Sequence, residues 1–128
     1  MIVEITPTLL GGSITAVSSK SDAHRLLIAC ALADKPTLVK LNAFSDDINA
    51  TITCLKALGA EFEINDSSVT VYPVKSVESA ILDCAESGST LRFLMPVASA
   101  LCGNTQFCGR GRLPERPVDE LRREMSKN

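Results

Sequence analysis

The apolar positions of this chain switch between two periods. Residues 2–5 and 12–17 alternate as short strands. Over residues 21–33, Leu26, Leu27, Ile28, Cys30, Ala31 and Leu32 predict a helix apolar nearly all round, and therefore buried. A strand follows at 37–41. The next helix is predicted to start at Ser45, with Asp46 and Asp47 in its dipole-favoured first turn and an apolar stripe through Ile48, Ile52, Leu55 and Leu58, before Gly59 ends it. Residues 61–64 and 68–72 read as a hairpin around Asn65-Asp66-Ser67.

The same order then returns. A strand at 80–84 leads through Glu86-Ser87-Gly88-Ser89-Thr90-Leu91-Arg92 into a buried helix that runs to Leu101, stopped by Gly103. A strand at 105–108, a polar loop and a helix from about Pro117 complete the pattern, with Val118, Leu121 and Met125 as its buried stripe and Arg122 and Arg123 on its solvated face. Shifting by 67 positions places Arg25 on Arg92, Ser21 on Gly88 and Ala31 on Ala98, a weak internal repeat of two α/β units. Pro96 falls inside the second buried helix, where it costs a hydrogen bond or a kink.

Composition then narrows the class. With 45% hydrophobic and 22% charged residues among 128, the chain is globular rather than disordered. A formal charge of -2, one Tyr, four Phe and no Trp supply neither the basic footprint nor the stacking aromatics of a nucleic-acid binder. No apolar run reaches membrane-spanning length, and Met1 leads into no charged and apolar export signal. Five cysteines with no Cys-x-x-Cys pair, most of them in apolar runs, predict a reducing, cytoplasmic setting. One histidine and dispersed cysteines make no metal site, and none is expected.

The candidate chemistry is anion binding. In Ser18-Ser19-Lys20-Ser21-Asp22-Ala23-His24-Arg25 a helix begins with hydroxyls and carries Arg25 four residues after Ser21, one turn away on the same face, while Lys20 reaches over the open end. Such a serine equally serves as a plain cap and such cations as solvated charges. The second turn adds Gly88, which lets a ligand approach the backbone, beside the hydroxyls of Ser87, Ser89 and Thr90. Among the late arginines Arg110, Arg112, Arg116, Arg122 and Arg123, Arg116 at a helix entrance is the better oxyanion ligand. There is no Walker lysine loop and no Gly-x-Gly-x-x-Gly.

Taken in order, Ser19-Lys20-Ser21 with His24-Arg25, Ser45-Asp46-Asp47, Leu58-Gly59-Ala60, Glu86 to Arg92, and Arg112-Leu113-Pro114-Glu115-Arg116-Pro117 resemble the motifs of the 5-enolpyruvylshikimate-3-phosphate synthase family. The resemblance implies an α/β fold of repeated βαβαββ units, about one and a half to two of them present. Residues 1–128 would then be a partial N-terminal domain, an N-terminal fragment of a longer enzyme, and the first-strand region, about 1–14, would belong with the second domain.

The implied activity is transfer of the enolpyruvyl group of phosphoenolpyruvate to the 5-hydroxyl of shikimate 3-phosphate, with no cofactor and no metal. By motif position Lys20, Ser21 and Arg25 would hold shikimate 3-phosphate, and Lys20, Gly88 and Arg116 would hold phosphoenolpyruvate. No proton-transferring catalytic residue is expected within this stretch. The partners implied are those two small anions and the C-terminal remainder of the same enzyme, with no nucleic acid and no membrane. Glu86-Ser87-Gly88-Ser89 replaces the Asn-Ala-Gly-Thr of many members, which leaves Glu86 without an assigned role. Two alternatives stand beside this reading. One is a relative of the UDP-N-acetylglucosamine enolpyruvyl transferases, which normally carry Lys-Asn where this chain has Lys20-Ser21; the other is a non-catalytic small-anion binding module.

Overall fold

The structure is a computed structural model that describes residues 2–127. Its elements, in chain order, are α1 (Lys20–Ala31), β1 (Thr37–Lys40), α2 (Asp46–Ala57), β2 (Glu61–Asn65), β3 (Ser68–Tyr72), β4 (Ser79–Asp83), α3 (Gly88–Leu101), β5 (Asn104–Cys108), a 3-10 turn at Leu113–Glu115, and α4 (Asp119–Met125). Strands β1, β3 and β2 form an antiparallel sheet in that order, and β4 pairs parallel with β5 across the α3 crossover.

Local chemistry accounts for the boundaries. Ser19, Ser45 and Ser87 have extended backbones, and their hydroxyls accept the N–H of Asp22 at 3.4 Å, of Ile48 at 3.4 Å and of Thr90 at 3.2 Å. The helix α2 ends where Gly59 turns to a φ of +93°, a conformation costly for any residue with a Cβ. The hairpin register places Asn65 opposite Ser68, leaving Asp66 and Ser67 as a two-residue loop. A single apolar core joins the two sheets: Leu27 of α1, Ile48 and Leu55 of α2, Val69 and Val71 of β3, Leu82 of β4 and Leu94 of α3 are all sealed from solvent. Each such side chain contributes about 1.5–3 kcal/mol by leaving water.

The predicted order of elements from residue 37 onward stands, and the repeat acquires physical meaning. At the 67-residue offset Ala23, Leu27 and Ala31 of α1 correspond to Thr90, Leu94 and Ala98 of α3, and all six are buried. Three expectations need correction. Residues 2–5 and 12–17 are not strands, because no other segment among the described residues lies beside them to complete a ladder; Ile2, Ile5, Leu9, Leu10 and Ile14 stand exposed. Neither α1 nor α3 is buried all round, since each packs one face on the core and leaves Leu26, Leu32 and Phe93 at the surface. The last helix begins at Asp119, two residues after Pro117, and its apolar stripe of Val118, Leu121 and Met125 is half-buried. Arg122 and Arg123 are exposed, as their spacing predicts.

Candidate anion-binding site

Three helix N-termini meet at one end of the core. Lys20, the first residue of α1, forms an ion pair with Asp47 in the first turn of α2. Asp47 in turn meets α3: its backbone carbonyl lies 3.3 Å from the Thr90 hydroxyl, which is also 2.8 Å from Ser87 Oγ. Hydrogen bonding from Lys20, the largest cause, together with that from Ser87, holds the Asp47 carboxyl below its usual range against the opposing effect of burial. Lys20, Ser45, Asp46, Asp47, Ala85, Glu86 and Arg110 line an open depression of about 480 Å³ over these termini.

The turn that presents α3 is strained and tightly held. Ala85 sits at φ 49°, in the left-handed region that favours glycine. Three hydrogen bonds fix it: its own N–H to the Asp83 carboxylate at 2.8 Å, Ser87 N–H to the Cys84 carbonyl at 2.8 Å, and Arg110 N–H to the Ala85 carbonyl at 2.8 Å. Glu86 lies over Gly111, where a Cβ would come within 2.5 Å of its carboxyl carbon. The arginine-bearing loop after β5 is thereby fastened to the turn before α3.

Gly88 is the centre of the second cluster. A Cβ there would lie 2.6 Å from Arg116 Nη1 and 2.9 Å from Arg92 Nη1, so two guanidiniums share the space beside the first turn of α3. Arg92 also donates to the Pro117 carbonyl at 3.4 Å, and no ion pair engages either arginine among the described residues. Two close cations at the positive end of a helix favour an oxyanion between them. Arg112, Glu115, Arg116 and Pro117 frame an adjoining hollow of about 340 Å³.

The sequence-predicted residues thus fall into groups. Lys20 is in the depression, and Gly88 and Arg116 are in contact range of each other. Ser21 and Arg25 form a separate exposed pair, with Arg25 Nε donating to the Ser21 carbonyl at 3.1 Å. Ser21 is not the cap of α1, because Ser19 performs that task two residues earlier and Ser21 lies inside the first turn. Sequence spacing alone does not mark Asp47 or Arg92 as ligand-site residues. The Ser-Asp-Asp run reads as helix capping alone, whereas the 67-residue offset from Arg25 was the available signal for Arg92. A hollow of about 580 Å³ lies between α3 and α4 beside Arg122 and Arg123, lined by none of the residues of either cluster. It marks where a short, half-buried helix stands off its neighbour.

Among the described residues no group of three or more His, Cys, Asp or Glu is placed to hold a metal ion, and no helix is long and apolar enough to cross a membrane. The five cysteines are free. Cys54 and Cys84 bring their sulfurs to 4.0 Å inside the core, where the shared hydrogen bond and burial push the Cys54 thiol far up.

Packed helices and strands in this order, with cations at the helix entrances, are consistent with an enolpyruvyl-transferase-type fold. Structures of EPSP synthase from Acinetobacter baumannii superpose with a TM-score of 0.73 at 22% identity, over 90% of this chain and 27% of theirs, which establishes the fold. The family model described as EPSP synthase (3-phosphoshikimate 1-carboxyvinyltransferase) matches residues 5–128, and the chain belongs to that family. A 3-phosphoshikimate 1-carboxyvinyltransferase of Clostridium beijerinckii is 40% identical over 126 residues, and one of Clostridioides difficile is 37% identical over 129. Each alignment covers 91% of this chain, which spans 29% and 30% of those relatives' lengths. Both carry the shikimate name rather than that of the UDP-N-acetylglucosamine enzymes, and the alternative within the fold is not favoured.

Proposed function

We propose that this chain supplies the N-terminal part of a 3-phosphoshikimate 1-carboxyvinyltransferase, which joins the enolpyruvyl group of phosphoenolpyruvate to the 5-hydroxyl of shikimate 3-phosphate. The reaction proceeds by addition to a protonated double bond and then loss of phosphate. Support comes above all from the meeting of Arg92 and Arg116 at Gly88, next to the Lys20–Asp47 pair, in a chain that matches the family from residue 5 onward. In this reading Lys20 contacts both substrates, Ser21 and Arg25 hold shikimate 3-phosphate, and Gly88 and Arg116 receive phosphoenolpyruvate. Arg92 joins them as a second cation at the Gly88 subsite.

Physically, two polyanions are brought together only if fixed positive charge and backbone N–H groups offset their repulsion. Helix entrances and guanidiniums provide both without rearranging during reaction. The proton donor and the opposite wall of the cleft belong to the remainder of the enzyme. Residues 1–14 are assigned to that second domain, a placement favoured by the exposed Ile2, Val3, Ile5, Leu9 and Leu10. Five free thiols favour a cytoplasmic location.

The test is phosphate release from the two substrates. The isolated chain is expected to release none, and the full-length protein is expected to turn over and to lose activity on Lys20→Ala or Arg116→Ala without loss of fold. Turnover by the purified chain alone, or full-length activity indifferent to both substitutions, overturns the assignment.

A further inference from the structure

Beneath the charged rim runs a buried polar chain that the anion site does not itself require. His24, on the inner face of α1, is wholly buried, and its Nδ1 lies 2.7 Å from the Thr51 hydroxyl of α2. Thr51 Oγ1 is 2.7 Å from Thr90 Oγ1 of α3, which is 2.8 Å from Ser87 Oγ. Thr51, Thr90 and Ser87 are themselves buried. The Thr51 and Thr90 hydroxyls also each lie 3.3 Å from the backbone carbonyl of Asp47, whose carboxylate holds Lys20.

The tautomer of His24 follows from what its two ring nitrogens meet. Thr51, Thr90 and Ser87 can each accept as well as donate, so the Thr51 hydroxyl can accept a hydrogen bond from Nδ1 and donate its own proton to Thr90 or to the Asp47 carbonyl. At the other end His24 Nε2 is buried with no hydrogen-bond partner. A buried N–H without an acceptor is rarer and costlier than a bare lone pair, which independently puts the ring proton on Nδ1. Nδ1 therefore donates to Thr51, and the hydroxyl protons beyond it go to one another or to the Asp47 carbonyl. We propose that His24, as the neutral Nδ1–H tautomer, heads a buried hydrogen-bonded network of Thr51, Thr90 and Ser87 that reaches the Asp47 backbone carbonyl, holds the first turn of α2 against α3 and so positions Asp47 and its partner Lys20. His24 is a positioning residue in this scheme, acting through Asp47, and its functional meaning rests on the reading of Lys20 as an anion contact.

The electrostatic surroundings agree. Burial, the largest influence, lowers the His24 pKa below its ordinary value; Asp47 from α2 opposes this and Lys20 from the start of α1 reinforces it. From α3 the ring meets Phe93 edge-on, with centroids 6.3 Å apart. The ring accordingly stays neutral and keeps a single donor for Thr51.

His24 is the only histidine in the chain, so incorporation of ¹⁵N-histidine gives one pair of ring resonances without further assignment. In the ligand-free chain Nδ1 is expected to be protonated and Nε2 bare, unchanged as the pH falls past about 6.5. An Nε2–H ring facing Phe93, a tautomer mixture, or titration at the ordinary value overturns the proposal. The second readout is the Asp47 carboxyl followed by ¹³C. Thr51→Val keeps the volume and removes the hydroxyl; it is expected to scramble the His24 tautomer and raise the pKa of Asp47, and Thr51→Ser to restore both. If a folded Thr51→Val protein leaves both unchanged, the chain only packs and the proposal fails. A variant that does not fold leaves the wild-type tautomer to decide. None of these measurements uses a substrate, so they stand apart from the test of the anion site; a titration with inorganic phosphate reports on that site separately.

Discussion

Gly88→Ala separates the stability of this protein from its affinity for anions. The new methyl group would sit 2.6 Å from Arg116 Nη1 and 2.9 Å from Arg92 Nη1, well inside contact distance, and 3.4 Å from Arg116 Cδ. All three atoms belong to long, flexible side chains, so relief comes from swinging the guanidiniums away rather than from moving backbone. Gly88 opens α3 and is not among the glycines of positive φ, so alanine meets no backbone strain there. Its helix preference offers up to about 1 kcal/mol, less in a first turn than in a helix interior. Thermal unfolding is therefore expected to be unchanged or slightly raised. Displacing one charge-assisted hydrogen bond from a bound oxyanion loses about 1.5–3 kcal/mol, roughly one to two decades in Kd. Titration of the chain with phosphoenolpyruvate, and KM for it in the full-length protein, measure that loss beside the melting curve. Unchanged affinity, or a weakened fold with affinity lost in proportion, would refute the placement of Arg92 and Arg116 around an anion.

Three further outcomes are expected. In the full-length protein Lys20→Ala, Arg25→Ala and Arg116→Ala should each lower kcat/KM by about one to two decades at constant stability, whereas Arg122→Ala and Arg123→Ala, on the exposed face of α4, should change it little; parity between Arg122→Ala and Arg25→Ala would displace the site. Gly59→Ala places a Cβ 2.4 Å from the Lys75 carbonyl at a φ of +93°, so denaturant unfolding should show a loss of at least about 1–3 kcal/mol, and a neutral result would mean that the turn rearranges. Because burial keeps His24 neutral in the folded state, the unfolded chain binds a proton that the folded chain refuses as pH falls below about 6.5. Stability should then decline by up to about 1.4 kcal/mol per pH unit until the folded-state pKa is reached, a slope that His24→Asn removes.

How much of this was legible in the sequence depends on which interactions are local. Capping serines, the Gly59 stop and the hairpin loop are decided within a few residues, and the elements they bound stand close to where the pattern put them. Strand pairing is not local. Residues 12–17 carry the alternation of a strand, yet a ladder needs a neighbour, and none is present among the described residues. The apolar pattern overstates the burial of α1 for a similar reason: Leu26 and the capping Leu32 contribute apolar period without a surface to cover them. At the site, cations at helix entrances were visible as types and spacing, but the meeting of Arg92 with Arg116 joins residues 24 positions apart through the fold of one loop onto one glycine. Asp47 looked like dipole compensation because its tie to Lys20 crosses from one helix to another.

The contrast between the rim and the layer beneath it also sets what evolution or an engineer can change. Lys20 and Asp47 are partly exposed, and a surface ion pair contributes only about 0–1 kcal/mol, so loss of that pair is expected to cost little folding stability. The hydroxyls below behave oppositely. Thr51, Thr90 and Ser87 are neutral and individually modest, yet each is sealed from water, and removing one partner strands another donor or acceptor at about 1–3 kcal/mol. Geometry is thus held by groups that carry no charge, and charge is presented by groups that hold little geometry. A substitution that moves the three helix entrances relative to one another must break the buried layer first, and for that reason its effects on stability and on anion affinity should appear together, whereas changes confined to Gly88, Arg92 or Arg116 should separate them.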